Sequence, residues 1–267
     1  MRLGNIVYSN CFPVHSRLID QPRDGDPILV NGIPSELNGL LAESKIDISP
    51  SSSIEYARHA ENYRILPDLV IGSRGAVRSI LLVSDLPPTE LGGRTIGLPT
   101  ASATSVVLLK ILLRIRWSVD AEFIWFNQAH DDPFAMGASA ALFIGDVALR
   151  PELCAEKSLR FDLGEEWWDE TGLPFAFAVW QAARGSDEQL ADLHGRLVES
   201  RDYSEENRRA LAARYADHFA LPADLLHDYW RDLTFTLDEG MREGLTTFYS
   251  LAAEIGEITE VPAIRWV

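Results

Sequence analysis

Cysteine, positive charge and long apolar runs are all scarce in this sequence. Its 267 residues contain only two cysteines, Cys11 and Cys154, far apart and without zinc-ligand spacing. The sequence therefore predicts reduced thiols, with neither a disulfide framework nor a metal site. The formal net charge is −16, from 24 basic and 40 acidic side chains, which disfavours binding to nucleic acid or to an anionic membrane surface. No apolar run approaches the roughly 18 residues of a membrane span.

Leader and catalytic motifs are missing as well. The N-terminal segment MRLGNIVYSNCFPV becomes polar too early for the apolar region of a signal peptide, so we expect a cytoplasmic protein. There is no GxSxG, GxGxxG, Walker or HExxH motif. The six histidines have no metal-ligand spacing. Cys11 has no base that the sequence can place beside it, which favours a packing role over a nucleophilic one.

What is present is a globular composition in which strands alternate with helices. With 46% hydrophobic and 24% charged residues, the chain can form one large or two medium domains. Segments 3–8, 28–31 and 46–49 are strand-like and are separated by helical segments, which predicts a parallel sheet. The composition shifts at 85–93, and an apolar strand at 173–183 is interpreted as the return crossing. We therefore expect a first lobe of residues 1–84 plus 178–267 and a second lobe of residues 85–177, with ligand between them.

Three hydroxyl-rich turns follow predicted strands and precede predicted helices. Unpaired backbone N–H groups at a helix N-terminus suit a carboxylate or phosphate, and nearby hydroxyls add donors. The alternative is a simple N-cap in which one side chain serves its own helix. The residues are Ser9 and Asn10 in the first turn, Ser51, Ser52 and Ser53 in the second, and Thr100, Ser102, Thr104 and Ser105 in the third, before a strongly apolar helix.

Other segments give expectations without chemistry. Residues 132–138 are rich in glycine and alanine and are expected to form a helix. The acidic, aromatic block at 164–172 is expected to be a solvated loop whose tryptophans pack at the domain junction. From Ser186 onward the chain is expected to be helical, with helix starts at Ser186, Ser204 and Asp238.

Five segments of the sequence, spread in order over most of residues 3–181, carry a resemblance to a known family. They are VYSNCFPV, IDISPSSSIEYARHAENYRILPDLVIGSRGAVRSILLVS, LPTASATSVVLLKILL, LFIGDVALR and TGLPFAFAVW. Together they resemble the chorismate dehydratases of the futalosine route to menaquinone. The resemblance implies an α/β, two-lobed, periplasmic-binding-protein-like (type II) fold. It also implies that chorismate, a small-molecule dicarboxylate, is converted to 3-[(1-carboxyvinyl)oxy]benzoate and water. No cofactor is implied.

The resemblance also implies functional residues. The family's functional asparagine corresponds to Asn10 and its functional serine to Ser79. The three hydroxyl-rich turns would bind the two carboxylates. No general base is found among the matched residues, so we hypothesise that a substrate carboxylate takes the proton. Gly145 and Asp146 complete the predicted substrate-binding set.

Two alternative functions stay open at this point. One is a lyase like the 1,4-dihydroxy-6-naphthoate synthases, a sister family with the same fold. That family has a histidine where this chain has Gly145 and Asp146, which favours the dehydratase. The other is a non-catalytic protein that binds small anions. The sequence does not indicate the oligomeric state.

Overall fold

The strands of this protein form two separate sheets. The computed structural model describes residues 1–150, 153 and 159–267. The strands are β1 (Arg2–Ile6), β2 (Ile28–Gly32), β3 (Ile48–Ser52), β4 (Arg64–Ser73), β5 (Ile80–Ser84), β6 (Thr95–Pro99), β7 (Glu122–Phe126), β8 (Ala140–Ile144), β9 (Leu159–Asp162), β10 (Phe175–Ala182) and β11 (Leu233–Thr234). The helices are α1 (Phe12–Asp20), α2 (Pro34–Ala42), α3 (Ser53–Arg58), α4 (Thr104–Ile115), α5 (Leu163–Thr171), α6 (Asp187–Phe219), α7 (Ala223–Asp232) and α8 (Glu239–Glu254).

The first sheet has the strand order β11-β4-β10-β3-β1-β2, and the second has the order β7-β6-β8-β5-β9. In the first sheet, β1 pairs in parallel with β2 and with β3, so the parallel arrangement predicted from the strand–helix alternation is confirmed. Strand β10 enters the same sheet antiparallel to β3 and β4. In the second sheet, β6 is parallel to β7 and β8, and β5 is antiparallel to β8 and β9. Both sheets therefore have a parallel core with antiparallel additions.

The chain passes from the first sheet to the second between Ser73 and Ile80 and returns between Asp162 and Phe175. Strand β5 was predicted to close the first lobe, but it pairs with β8 and β9 in the second sheet. Strand β10, which the predicted boundary at 177/178 divides, lies wholly in the first sheet. The lobe boundaries themselves stay a prediction, and sheet membership would move both of them toward the N-terminus.

Helix starts follow the capping signals in the sequence. Ser186 accepts a hydrogen bond from the Gln189 N–H, and Gln189 accepts one from the Ser186 N–H, which forms the predicted capping box. Asp238 caps α8 by accepting from the Met241 N–H. Helix α4 is buried along most of its length, as its apolar sequence predicts. No helix in the described part of the chain combines the length and apolar character that a membrane crossing needs.

Three local predictions were wrong. Residues 132–138 form turns, because Asp132 accepts from the N–H groups of Phe134 and Ala135 and Gly137 adopts a φ of 97°. The block at 164–172 forms α5, whose first turn is capped by the Asp162 carboxylate and which ends at Gly172 in the left-handed region.

The third error concerns Ser204. It lies buried inside α6, a single helix of 33 residues, and does not start a new one. Neither glycine nor proline occurs between 196 and 219, so nothing in the backbone interrupts the helix there.

Candidate active site

A small cavity of about 50 Å³ lies between the two sheets, where the turns predicted to bind anions meet. This volume is below the range of about 300–1,000 Å³ that is typical of small-molecule sites, but the cavity shares Ser52 and Ser102 with a wider outer cavity of about 480 Å³. Six of the predicted site residues line it: Asn10, Ser52, Ser79, Ser102, Ser105 and Gly145. The remaining lining residues are mostly apolar: Ile6, Tyr8, Pro34, Ile71, Ile80, Ile144, Phe177 and Ala178. The cavity is thus an apolar chamber with a small number of hydroxyl and amide groups.

The turn between β1 and α1 presents Asn10 to the cavity. The Asn10 Oδ1 atom is buried and has no hydrogen-bond partner among the described residues. Ser9, in contrast, does not line the cavity and is fully buried. Its N–H and its hydroxyl both donate to the carboxylate of Asp146, over 3.1 Å and 2.5 Å, and its carbonyl accepts from Trp230 Nε1 over 2.8 Å. Ser9 therefore anchors the turn, and Asn10 is the member available to a ligand.

The three consecutive serines have three different environments. Strand β3 extends through Ser52, so Ser51 and Ser52 are strand residues, not members of a turn. Ser52 lines the cavity. Ser51 is fully buried, and its Oγ has no partner among the described residues. Ser53 begins α3 and donates to the Ala176 carbonyl over 2.6 Å. Only Ser52 is placed to contact a ligand in the cavity.

The turn that precedes α4 is divided in a similar way. Ser102 and Ser105 line the cavity and are hydrogen-bonded to each other, with 3.0 Å between the two Oγ atoms. The Ser105 N–H also approaches Ser102 Oγ, at 3.4 Å, so part of the simple N-cap alternative is present. Thr104 accepts from the Ile54 N–H over 3.2 Å and so joins α3 to α4. Thr100 is exposed and lines the wider outer cavity of about 480 Å³.

Gly145 and Asp146 follow β8 and have separate roles. Gly145 lines the cavity with a φ of 63°, and a Cβ atom there would lie 3.1 Å from the Tyr8 ring, so glycine suits both the backbone and the space. The Asp146 carboxylate already accepts hydrogen bonds from the N–H and the hydroxyl of Ser9, which lies on the first-sheet side. Burial raises the pKa of Asp146, while the hydrogen bonds from Ser9 oppose that rise. Asp146 links the two halves of the site.

Ser79 lies in the crossing between the sheets, and both its carbonyl and its hydroxyl are hydrogen-bonded. It is 1% exposed and lines the cavity. Its carbonyl accepts from the Gly145 N–H over 2.8 Å. The Tyr229 hydroxyl donates to Ser79 Oγ over 2.7 Å. Tyr229 belongs to the C-terminal helical region, to which the sequence pattern assigned no function.

The described lining of the cavity contains one titratable side chain, Tyr8, and no carboxylate, imidazole or amine. Burial, followed by the nearby charge of Asp146, raises the pKa of Tyr8, so its phenol stays protonated at neutral pH. Sequence reasoning missed Tyr8, although an aromatic residue at the end of a strand, just before the Ser9 turn, was a usable signal.

Other titratable groups near the site are buried behind it. Cys11 is fully buried, and burial raises the pKa of its thiol to about 12, so the packing role predicted for it fits the structure. Burial lowers the pKa of His15 to about 3, and Trp180 Nε1 donates to its Nε2. Cys154 lies outside the described residues. Within the described part of the chain, no group of three or more His, Cys, Asp or Glu side chains could hold a metal ion.

Comparison of the sequence with known proteins identifies the family of this chain. A family model described as menaquinone biosynthesis matches residues 1–254. The chain belongs to this family. A relative from Thermus thermophilus named chorismate dehydratase is 30% identical over 261 residues, which is 92% of this chain and 93% of the relative. Membership of the menaquinone biosynthesis family confirms the resemblance seen in the sequence segments.

Solved structures define the fold of this menaquinone biosynthesis family member. A protein of Archaeoglobus fulgidus aligns with a TM-score of 0.79 at 19% identity and covers 96% of this chain and 98% of its own. The periplasmic aliphatic sulphonate binding protein of Escherichia coli aligns with a TM-score of 0.68 at 15% identity, over 98% of this chain and 89% of that one. The predicted periplasmic-binding-protein-like fold is confirmed.

Proposed function

We propose that this protein is a chorismate dehydratase, a hydro-lyase that removes water from chorismate to give 3-[(1-carboxyvinyl)oxy]benzoate. The name of the Thermus thermophilus relative supports the reaction. The structural observation that carries the proposal is the cavity, which is lined by neutral donors and apolar groups with no described acid or base except a protonated tyrosine. Such a site suits a substrate that needs orientation more than it needs an external catalyst.

A dicarboxylate requires two groups of donors, and residues from both sheets bring donors to the cavity. Ser102 and Ser105 lie at the N-terminal end of α4, where unpaired backbone N–H groups and the helix dipole favour an anion. Ser52 comes from the first sheet. We assign one carboxylate to the α4 turn and the other to the side of Ser52. The isoleucine and phenylalanine side chains that line the cavity would contact the ring.

The reaction removes the proton from the carbon that bears the enolpyruvyl ether and expels the hydroxyl group from the neighbouring carbon. The electron pair of the broken C–H bond completes the aromatic ring, and the proton and the hydroxyl leave as water. Aromatisation supplies much of the driving force. The protein therefore has to hold the substrate in the reactive geometry and stabilise the developing charge.

Asn10 and Ser79 are assigned to that work. The Asn10 amide can donate to a carboxylate, while its unpaired Oδ1 can accept from the ring hydroxyl. Ser79 can donate to the oxygen that is expelled. No described carboxylate or imidazole lines the cavity, so we assign the role of proton acceptor to a carboxylate of the substrate itself.

Incubation of the purified protein with chorismate tests the proposal. We expect an aromatic product in the ultraviolet spectrum, with the mass of chorismate minus one water. The matched control is the same protein with shikimate, which has a ring carboxylate but no enolpyruvyl ether. Tight binding of chorismate with no turnover would contradict the proposal and favour a protein that only binds small anions.

A further inference from the structure

Two consecutive residues of helix α7 contact the loops that carry the active-site residues. Tyr229 and Trp230 are 0% and 1% exposed. The Tyr229 hydroxyl donates to Ser79 Oγ over 2.7 Å, and Trp230 Nε1 donates to the Ser9 carbonyl over 2.8 Å. One helix of the C-terminal region thus contacts the loop of Ser79 and also the turn that carries Asn10.

The direction of the bond between Tyr229 and Ser79 follows from burial. In the described part of the chain, Ser79 Oγ is the only hydrogen-bond partner of the Tyr229 hydroxyl. If Ser79 donated instead, the phenolic hydrogen would be buried without an acceptor, which costs about 1–3 kcal/mol. Burial also raises the pKa of Tyr229 well above its usual value, so the phenol keeps its proton. Tyr229 is therefore the donor.

This direction decides what Ser79 can do. A serine hydroxyl has one hydrogen and can accept through its lone pairs. Since one lone pair is occupied by Tyr229, and no described protein group accepts from Ser79 Oγ, its own hydrogen is available to the cavity that Ser79 lines. A hydroxyl that accepts one hydrogen bond also becomes a better donor of the next, because consecutive hydrogen bonds polarise one another.

We infer that Tyr229 is a positioning residue for the dehydration: it fixes the Ser79 hydroxyl as a donor aimed at the oxygen that leaves the substrate. The inference rests on the proposed function. Tyr229 does not touch the substrate, because it does not line the cavity. Trp230 gives the same helix a second contact, and its ring stacks on Phe12 of α1 with 5.2 Å between ring centroids.

The test compares Tyr229→Phe, Ser79→Ala and the double variant, with chorismate as substrate. Tyr229→Phe keeps the ring and removes the donor. We expect kcat to fall on the order of 10-fold with KM nearly unchanged, because the bond acts on the group that stabilises the transition state. Ser79→Ala should reduce kcat further. In the Ser79→Ala background, Tyr229→Phe should have no additional effect, since its partner is already absent.

Tyr56→Phe is the control, because Tyr56 is also 0% exposed and its hydroxyl donates to the Ala263 carbonyl over 3.0 Å and accepts from the Arg265 N–H over 2.7 Å. It should lower the melting temperature at least as much as Tyr229→Phe does and leave kcat unchanged, because it removes two hydrogen bonds that do not involve Ser79. Inactive wild-type protein would overturn the proposed function and this inference with it. Active wild type with an unaltered Tyr229→Phe variant would overturn the inference alone. The inference would also be overturned if Tyr229→Phe reduced kcat by the same factor in the Ser79→Ala background as in the wild type.

Discussion

At the residue scale, Asn10 has a buried side-chain oxygen that no described protein group contacts by a hydrogen bond. Its Oδ1 is buried without a partner in the described structure, whereas its neighbour Ser9 uses its N–H, hydroxyl and carbonyl in hydrogen bonds. An unpaired buried acceptor costs stability, and under the proposed function the substrate would supply the partner that Asn10 lacks.

Replacement of Asn10 by alanine should reduce kcat for chorismate about 100-fold, because it removes the amide proposed to donate to a substrate carboxylate, and such a loss is typical of removing one donor that stabilises a transition state. The melting temperature should change little, because no described protein hydrogen bond of Oδ1 is lost. Steady-state kinetics and thermal unfolding measure the two quantities. Asn38→Ala is the control, since Asn38 Oδ1 is also buried and unpaired but lines the outer cavity. Equal losses of activity in both variants would remove Asn10 from the site.

At the scale of elements, a buried ion pair fastens α1 to the segment that follows it. The guanidinium of Arg17, 1% exposed, lies 2.8 Å from the carboxylate of Asp26, 8% exposed. Arg196 of α6 also reaches Asp26, over 3.2 Å. The hydrogen bonds from Arg17, as the main cause, lower the pKa of Asp26 to about 2. This cluster helps to hold the long helix α6 against the first sheet.

The pH dependence of this pair can be predicted with its sign. The pKa of Asp26 is lower in the folded protein than its ordinary value of 3.8, so the pair stabilises the fold above about pH 4 and loses that contribution as the pH falls toward 2. Asp26→Asn should lower the free energy of unfolding at pH 7 by about 2 kcal/mol or more, and the difference from wild type should shrink between pH 4 and pH 2.5. Urea unfolding at each pH measures it.

Asp187→Asn is the control for the ion-pair experiment. Asp187 pairs with Arg64 over 2.6 Å but is 89% exposed, so its loss should change stability by about 1 kcal/mol or less at any pH. A stability difference for Asp26→Asn that stayed constant from pH 7 to pH 2.5 would show that the carboxylate does not titrate as described.

At the scale of the whole molecule, hydrogen bonds tie the two sheets together around the cavity. Ser9 donates to Asp146, and the Ile54 N–H donates to Thr104 Oγ1. These contacts join the two sheets beside the cavity. The crossings near 73–80 and 162–175 are the places where the chain could bend, and closure there would exclude water from a dehydration site.

Small-angle scattering should therefore show a smaller radius of gyration when saturating chorismate is added. Asp146→Ala should reduce this compaction. It should also raise KM severalfold and change kcat less, because the variant weakens closure without removing a group that lines the cavity. Unchanged scattering of the wild type on ligand addition would rule out closure as the step that seals the site.

The sequence by itself determined the elements and the family. Alternating strands and helices, the caps at Ser186 and Asp238, and the ordered segments up to residue 181 were readable because they depend on local chemistry. Even α5, predicted as a loop, carried its own signals in Asp162 at the start and Gly172 at the end. Its acidic composition obscured them.

The tertiary structure alone decided which side chains form the site. Ser51, Ser52 and Ser53 are equivalent in the sequence, but strand and helix geometry points only Ser52 into the cavity. Ser79 meets Tyr229 across 150 residues of chain. Such a contact depends on how helices pack against sheets, and no local pattern encodes it. Residue type and spacing thus identify candidate groups, whereas packing and burial determine which of them are free to act.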